Sequence, residues 1–112
     1  MRYNDSAKEV FAKMKDEFIS KLGIWGRRHY DYLKRNKPMV LNVMRTEGTL
    51  EEYLVQLDKD AQETYDLLIR QYAERDGINE ALKAEDEMRW VREMNWIRKT
   101  AEEFVLSDFI YQ

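Results

Sequence analysis

The chain has 112 residues, of which 44% are hydrophobic and 37% are charged, and its formal net charge is -3. This length suits one domain with a single core, so we expect a folded domain over 1–112 and not a disordered protein. Cysteine is absent, which excludes disulfide frameworks and thiolate metal sites, and no apolar run is long enough for a membrane span or a targeting segment, so we expect a cytoplasmic protein.

The first predicted helix is amphipathic and covers about 6–22. Ser6 and Glu9 have the spacing of a capping box, in which each side chain satisfies a free backbone N–H at a helix start. Apolar residues then recur every three or four positions up to Gly23, which is the period of a helix with one buried face.

Two shorter helices are predicted on either side of a proline. The first of these covers 26–36, and the restricted torsion angles of the residue before Pro38 end it. Pro38 suits the first position of another helix, over 38–46, and Gly48 closes that helix.

The C-terminal half of the chain predicts three more helical segments. One begins near Thr49, a second is capped by Asp58, and the dipeptide Asp76-Gly77 is a strong stop signal for the second. The last segment, 79–111, contains no glycine or proline and keeps helical periodicity. It predicts one long helix, which either bends or projects toward a partner.

No useful strand-like alternation occurs, so the predicted fold class is all-α, a compact helical domain of about five helices with a long C-terminal helix. An apolar stripe on the last helix is predicted to pack against the helix that carries Tyr65, Leu68 and Tyr72. The stripe consists of Trp90, Met94, Ile97 and Phe104. A homodimer through the projecting end of this helix is the alternative that stays open.

Signatures of enzymes are missing from the sequence. There is no glycine-rich phosphate loop and no nucleophile elbow, and the single histidine, His29, rules out a two-histidine zinc helix. We interpret His29 as a stacking or packing residue and not as a general base. The acidic clusters lack the histidine that helical carboxylate metal sites usually contain. We therefore expect no catalytic activity, no cofactor and no metal.

Many acidic residues on the last helix stand four positions from a basic one. Examples are Glu85 and Arg89, Arg89 and Glu93, and Lys99 and Glu103. Pairs at this spacing are neighbours on a helix surface. We interpret most of this charge as a solvated helix face.

Basic charge is concentrated between positions 21 and 45, where seven basic side chains face one acidic residue, Asp31. The basic residues are Lys21, Arg27, Arg28, Lys34, Arg35, Lys37 and Arg45. We expect such a segment to bind an anionic partner or to pack against an acidic surface of the same fold.

The spacing within this segment indicates a surface for nucleic acid. Arg28, Tyr32 and Arg35 can share one helix face, and Arg27 lies on the neighbouring strip. Arginine fits phosphate oxygens, and an aromatic ring can stack on an unpaired base. The predicted binding residues are Trp25, Arg27, Arg28, Tyr32, Lys34, Arg35 and Lys37. The alternative is that this face packs on the acidic helices of the same molecule.

Several short pieces, taken in order, resemble the TnpV family of transposon-encoded proteins over about residues 22–112. The pieces are Trp25-Gly26-Arg27-Arg28 with Tyr32-Leu33, Gly48-Thr49-Leu50, Met88-Arg89-Trp90-Val91 with Met94-Asn95, Ala101-Glu102-Glu103, and Ile110-Tyr111. The resemblance implies an accessory protein of a bacterial mobile element, in the cytoplasm, with recombinases and host-defence systems as genetic neighbours. It transfers no catalytic residue, and the N-terminal helix over 1–22 is expected to lie outside it.

Two functions follow as hypotheses. The first is binding to nucleic acid or a nucleoprotein complex through the basic segment. The second is inhibition of a host defence nuclease, in the manner of an anti-CRISPR protein, with the acidic region after residue 45 docking on the nuclease's cationic nucleic-acid channel.

Overall fold

The computed structural model describes residues 16–112, and in this range it contains five α-helices and no strand. The helices are α1 (Ile24–Asn36), α2 (Pro38–Glu47), α3 (Leu50–Asp76), α4 (Glu80–Glu85) and α5 (Glu87–Val105). A 3-10 turn, Glu17–Lys21, precedes α1, and a π-helical turn, Leu106–Ile110, follows α5. The all-α prediction is confirmed. Of the helix predicted over 6–22, all but the end lies outside the described residues, and that end is a 3-10 turn and not an α-helix.

Contacts divide the chain into two units, Met1–Lys59 and Asp60–Gln112, and α3 runs through the boundary. In the first unit α1 packs against α2 and against the 3-10 turn. Its apolar core consists of Leu22, Leu33, Leu41, Leu50 and Leu54. The single domain predicted over 1–112 stays a prediction.

The end of α2 follows its sequence signals. Gly48 adopts a left-handed φ of 73°, which costs glycine little because it has no Cβ. The backbone N–H of Gly48 donates to the Arg45 carbonyl and that of Thr49 to the Met44 carbonyl, at 3.2 and 2.9 Å. These two bonds form a Schellman motif, which satisfies the last free carbonyls of the helix. The predicted stop at Gly48 is confirmed.

The second unit has its own core, in which Ile78, Met94 and Ile97 are buried. Tyr72 of α3 and Trp90 of α5 pack against these residues. The predicted packing of the α5 stripe against the helix that carries Tyr72 is therefore confirmed for most of the stripe. Phe104 departs from it, because 42% of its surface is exposed.

Helix α3 is one helix of 27 residues where the sequence predicted two, because Asp58 does not start a new helix. Near the C-terminus the sequence predicted one helix, over 79–111, where the structure has two α-helices separated at Asp86. Asp86 has φ -145° and ψ 82°, and its side chain accepts a hydrogen bond of 3.1 Å from the Arg89 N–H. A side-chain cap of this kind begins a new helix, so α5 starts at Glu87. A long C-terminal helix is present, as predicted.

Within residues 16–112, none of the helices has the length and apolar character needed to cross a bilayer.

Candidate nucleic-acid interface

The first turn of α1 is held by an aspartate from α3. The Asp58 carboxylate accepts hydrogen bonds from the backbone N–H groups of Gly23, at 3.2 Å, and Gly26, at 2.8 Å. These N–H groups lie at the start of α1, where a helix has no internal acceptors for them and where its dipole favours a negative charge. Asp58 therefore fixes the position of the helix that carries most of the predicted binding residues.

Glycine at positions 23 and 26 permits this approach. A Cβ atom at position 23 would lie 2.8 Å from Asp58 Oδ2, and one at position 26 would lie 3.1 Å from the Asp58 Cβ. Both distances are shorter than ordinary van der Waals contact. Glycine at both positions therefore allows the Asp58 side chain to approach the start of α1 closely.

The inner face of α1 is buried. It consists of Trp25, Gly26, His29 and Leu33. His29 is 2% exposed, its Nε2 lies 2.8 Å from the Tyr53 hydroxyl, and its ring stacks on Tyr32 with a centroid distance of 6.1 Å. The interpretation of His29 as a packing residue is confirmed. Burial also raises the pKa of the Tyr53 hydroxyl above its ordinary value.

Trp25 is 4% exposed, so its ring is not available to stack on a base. The prediction placed Trp25 on the binding surface because it lies among cations in the sequence. Its position on the helix, one turn before His29, instead puts it on the buried face. The Arg28 guanidinium lies 5.7 Å from the centre of the Trp25 ring.

The outer face of α1 is basic and exposed. Arg27, Lys34 and Arg35 are exposed, and Lys37 is exposed immediately after the helix. In the described part of the chain Arg27, Lys34 and Arg35 form no ion pair. Asp31, also exposed, is the acidic residue of this face. We call Arg27, Lys34, Arg35 and Lys37 the α1 basic surface.

Arg28 and Tyr32 lie at the edge of the α1 basic surface and are half-buried. Arg28 contacts the ring of Trp25, and Tyr32 stacks on the ring of His29. The structure thus brings six of the seven predicted residues to an exposed or half-exposed position on or just after one helix, and it buries the seventh, Trp25.

Arg45, a member of the basic segment, is engaged inside the first unit. Its guanidinium forms a salt bridge with Asp16, whose side chain is 7% exposed, and donates a hydrogen bond of 3.0 Å to the Tyr30 hydroxyl. The Tyr30 hydroxyl in turn donates to Asp16 Oδ2 at 2.7 Å. Arg45 is therefore a structural residue, and its partner lies 29 positions earlier in the sequence, outside the basic segment.

This cluster changes the ionisation of two of its members. Burial, followed by the hydrogen bond to Asp16, raises the pKa of the Tyr30 hydroxyl above its ordinary value. The hydrogen bond from its guanidinium to Asp16 raises the pKa of Arg45. Both shifts favour the charged arginine and the neutral tyrosine that the hydrogen bonds require.

Sequence reasoning missed a second exposed basic and aromatic face, on α5. Trp96 is 54% exposed, and Arg89, Arg92 and Lys99 are exposed around it. The available signal was their spacing of three, four and three residues, which places all four on one helix face. Arg89 and Lys99 stand four positions from acidic residues, and from this spacing the sequence predicts that most of the charge lies on a solvated helix face. In the described residues Arg89 and Lys99 are exposed and form no ion pair.

No group of three or more histidine, cysteine or carboxylate side chains with the arrangement of a metal site occurs within residues 16–112. The chemistry offered by the α1 basic surface is binding to anions, since guanidinium and ammonium groups there are open to solvent.

Comparison with protein families gives a match over most of the chain. The family model described as transposon-encoded protein TnpV matches residues 9–110. The match begins earlier than the resemblance over about 22–112 that the sequence motifs indicate, so residues 9–22 lie inside it, and for them the expectation that the N-terminal segment lies outside the family is wrong. None of the curated proteins or solved structures compared with the chain matches it.

Proposed function

The chain belongs to the TnpV family of transposon-encoded proteins, and on that premise we propose that it acts by binding nucleic acid, alone or in a nucleoprotein complex of the mobile element. The binding residues proposed are those of the α1 basic surface, with Arg28 and Tyr32 at its edge. No catalytic step is part of the proposal.

One observation carries the proposal: Arg27, Lys34 and Arg35 are exposed and form no ion pair in the described part of the chain. The alternative, in which this face neutralises acidic helices of the same molecule, requires these cations to be covered. Their exposure supports an external anionic partner. Nucleic acid is the anion that a linear series of cations along one helix fits, because its phosphates repeat along a backbone.

The proposal is tested by fluorescence anisotropy with labelled single-stranded DNA, duplex DNA and structured RNA, each at low and physiological salt. The variant of choice is Arg27→Glu with Arg35→Glu, because both side chains are exposed and their replacement leaves the Trp25 contact of Arg28 intact. Charge reversal at two phosphate contacts is expected to abolish binding at physiological salt.

A matched control is Lys59→Glu with Arg70→Glu on α3. Both residues are exposed, and the two double variants have the same net charge. If both variants bind equally weakly, only the overall charge matters and the α1 basic surface is not the site. Circular dichroism of both variants checks that their helix content is unchanged.

The second hypothesis, an inhibitor of a host defence nuclease, rests on the acidic side chains of the later helices. On α3, Glu51, Glu52 and Glu63 are exposed and available to a cationic channel. Tight binding to a purified effector nuclease, together with absence of binding to any of the nucleic acids above, would favour this function over the first.

A further inference from the structure

From the geometry of α5 we infer that this helix carries a second contact for single-stranded nucleic acid, in which Trp96 stacks on an unpaired base and Arg89, Arg92 and Lys99 bind the flanking phosphates. The inference rests on the proposed function and adds to it a surface on the other unit of the chain. We call these four residues the α5 surface.

The four side chains lie on one face of a regular helix. At 100° per residue, positions 89, 92, 96 and 99 fall within about 80° of one another around the helix axis, and they span about 15 Å along it. Arg92 and Lys99 stand four positions before and three positions after Trp96, so a cation lies one turn away on each side of the indole. Glu103, one turn beyond Lys99, marks the acidic end of the face.

Trp96 differs from the other two tryptophans of the chain. Trp25 is 4% exposed, and Trp90 packs on the core of the second unit with Lys83 stacked 4.7 Å from its ring centre. Trp96 is 54% exposed. The exposed indole is a large apolar surface, and burying it is favourable. A ligand that covers the Trp96 ring therefore gains binding free energy from this contact.

The cations around Trp96 are free for a ligand. Arg89 and Lys99 have Glu93 and Glu103 at the spacing of a helical ion pair, and Arg92 is exposed beside them, yet none of the three cations forms an ion pair in the part of the chain that the structure describes. Free guanidinium groups bind phosphate oxygens through two parallel hydrogen bonds.

A base with an exposed face and phosphates on both sides is the ligand that matches this arrangement. In a duplex the faces of the bases are covered by their neighbours, so stacking on Trp96 requires an unpaired base. Aromatic stacking is tolerant of sequence, because every base has a π face. The predicted ligand is therefore single-stranded DNA or RNA of any sequence.

The test uses the full chain and the variant Trp96→Ala, with fluorescein-labelled oligothymidine, oligouridine and duplex DNA as probes. Trp96 is exposed, so the variant is expected to fold. Its affinity for both single strands should fall about tenfold, whereas its affinity for the duplex should stay unchanged. Phe104→Ala is the matched control, since Phe104 is an exposed aromatic residue of the same helix outside the α5 surface, and it should bind like the wild type.

A second readout locates the contact directly. Photocrosslinking to a single strand containing 5-iodouracil, followed by trypsin and mass spectrometry, should label the peptide 93–98, which contains Trp96. Labelling confined to peptides of α1 would overturn the inference.

The outcomes separate this inference from the proposed function. If Trp96→Ala binds single strands like Phe104→Ala while the α1 variant has lost binding, the α5 surface is refuted and the proposed function stands. If Trp96→Ala alone loses affinity, the α5 surface is supported and the α1 basic surface is refuted. If sedimentation shows a wild-type dimer that Trp96→Ala dissociates, the face is an interface between copies and the inference is wrong. A wild-type chain that binds no nucleic acid overturns both.

Discussion

Asp58 accepts a 2.8 Å hydrogen bond from the backbone N–H of Gly26 and thereby ties α3 to the first turn of α1. The donor and acceptor are 32 positions apart, so this bond is tertiary and not part of either helix. The Asp58 side chain of α3 therefore accepts the hydrogen bonds that an N-cap side chain would accept at the start of α1. Since α1 bears the α1 basic surface, the contact links fold stability to the proposed site.

The first prediction concerns the loss of this carboxylate. Asp58→Ala leaves the N–H groups of Gly23 and Gly26 without their acceptor and removes a negative charge from the start of α1. We expect the free energy of unfolding to fall by about 2 kcal/mol, the upper range for a lost cap. Urea unfolding followed by circular dichroism measures it. The control is Asp66→Ala, because Asp66 is an exposed aspartate on the same helix, and this variant should change the free energy of unfolding by less than about 0.5 kcal/mol. Equal losses of stability in the two variants would contradict the assigned role of Asp58.

The second prediction uses the steric need for glycine. Gly23→Ala would place a Cβ 2.8 Å from Asp58 Oδ2 and displace the carboxylate. In an Asp58→Ala background the clash is absent, so the two substitutions together should destabilise the protein by about 1 kcal/mol less than the sum of the single effects. A double-mutant cycle from urea unfolding supplies this coupling, and strict additivity would show that the two positions do not interact.

Asp58 also shows where sequence prediction of the fold succeeds and where it stops. Pro38, Gly48 and Gly77 mark helix ends correctly, because proline and left-handed glycine act through local backbone geometry. Asp58 was interpreted as a local cap that divides α3, but its partners lie in another helix. Asp86, by contrast, caps the helix that follows it and interrupts the last predicted helix. Both residues are aspartates, so residue type alone does not distinguish the local cap at Asp86 from the tertiary contact of Asp58.

The candidate site was predictable to a similar extent. The concentration of positive charge, and the helix that carries it, follow from composition and spacing. Burial does not follow from charge, so Trp25 was assigned to the surface although it packs inside. Arg45 belongs to the basic segment by sequence, but its partner Asp16 lies outside that segment, and only the fold brings the two together. Trp96 was overlooked because its surrounding charges are mixed in sequence and separate only around the helix.

The third prediction concerns Arg45. Arg45→Ala removes the salt-bridge partner of Asp16, whose side chain is 7% exposed, and leaves the buried carboxylate with the neutral Tyr30 hydroxyl but without its cation Arg45. We expect a loss of about 3 kcal/mol in the free energy of unfolding, the lower end for a broken buried pair because the Arg45 side chain is itself 21% exposed. Thermal or urea unfolding measures it. Arg45→Lys restores the charge and should recover part of the loss; an alanine variant as stable as wild type would refute this account.

The fourth prediction concerns alkaline pH. The pKa of Tyr30 is raised in the folded protein by burial and by Asp16, so the folded state keeps its proton when the unfolded state has lost it. The stabilisation is fully present below the unfolded pKa of about 10 and is lost as the pH rises through the higher folded pKa. The urea midpoint of the wild type should therefore fall above pH 10, and it should fall less in Tyr30→Phe. An identical decline in both proteins would show that Tyr30 does not contribute.

The fifth prediction concerns the one acidic residue among the cations of α1. Asp31 is exposed on the same face as Arg27 and Lys34, where it repels a bound phosphate backbone. Asp31→Asn keeps the shape of the side chain and removes the charge, so affinity for nucleic acid should rise at low salt.

Arg27→Ala should instead weaken binding and reduce the slope of log affinity against log salt by about 1, the value expected for one lost phosphate contact. Anisotropy titrations over a salt series give both results. If Asp31→Asn leaves the affinity unchanged while Arg27→Ala also leaves the slope unchanged, the phosphates do not bind at this face.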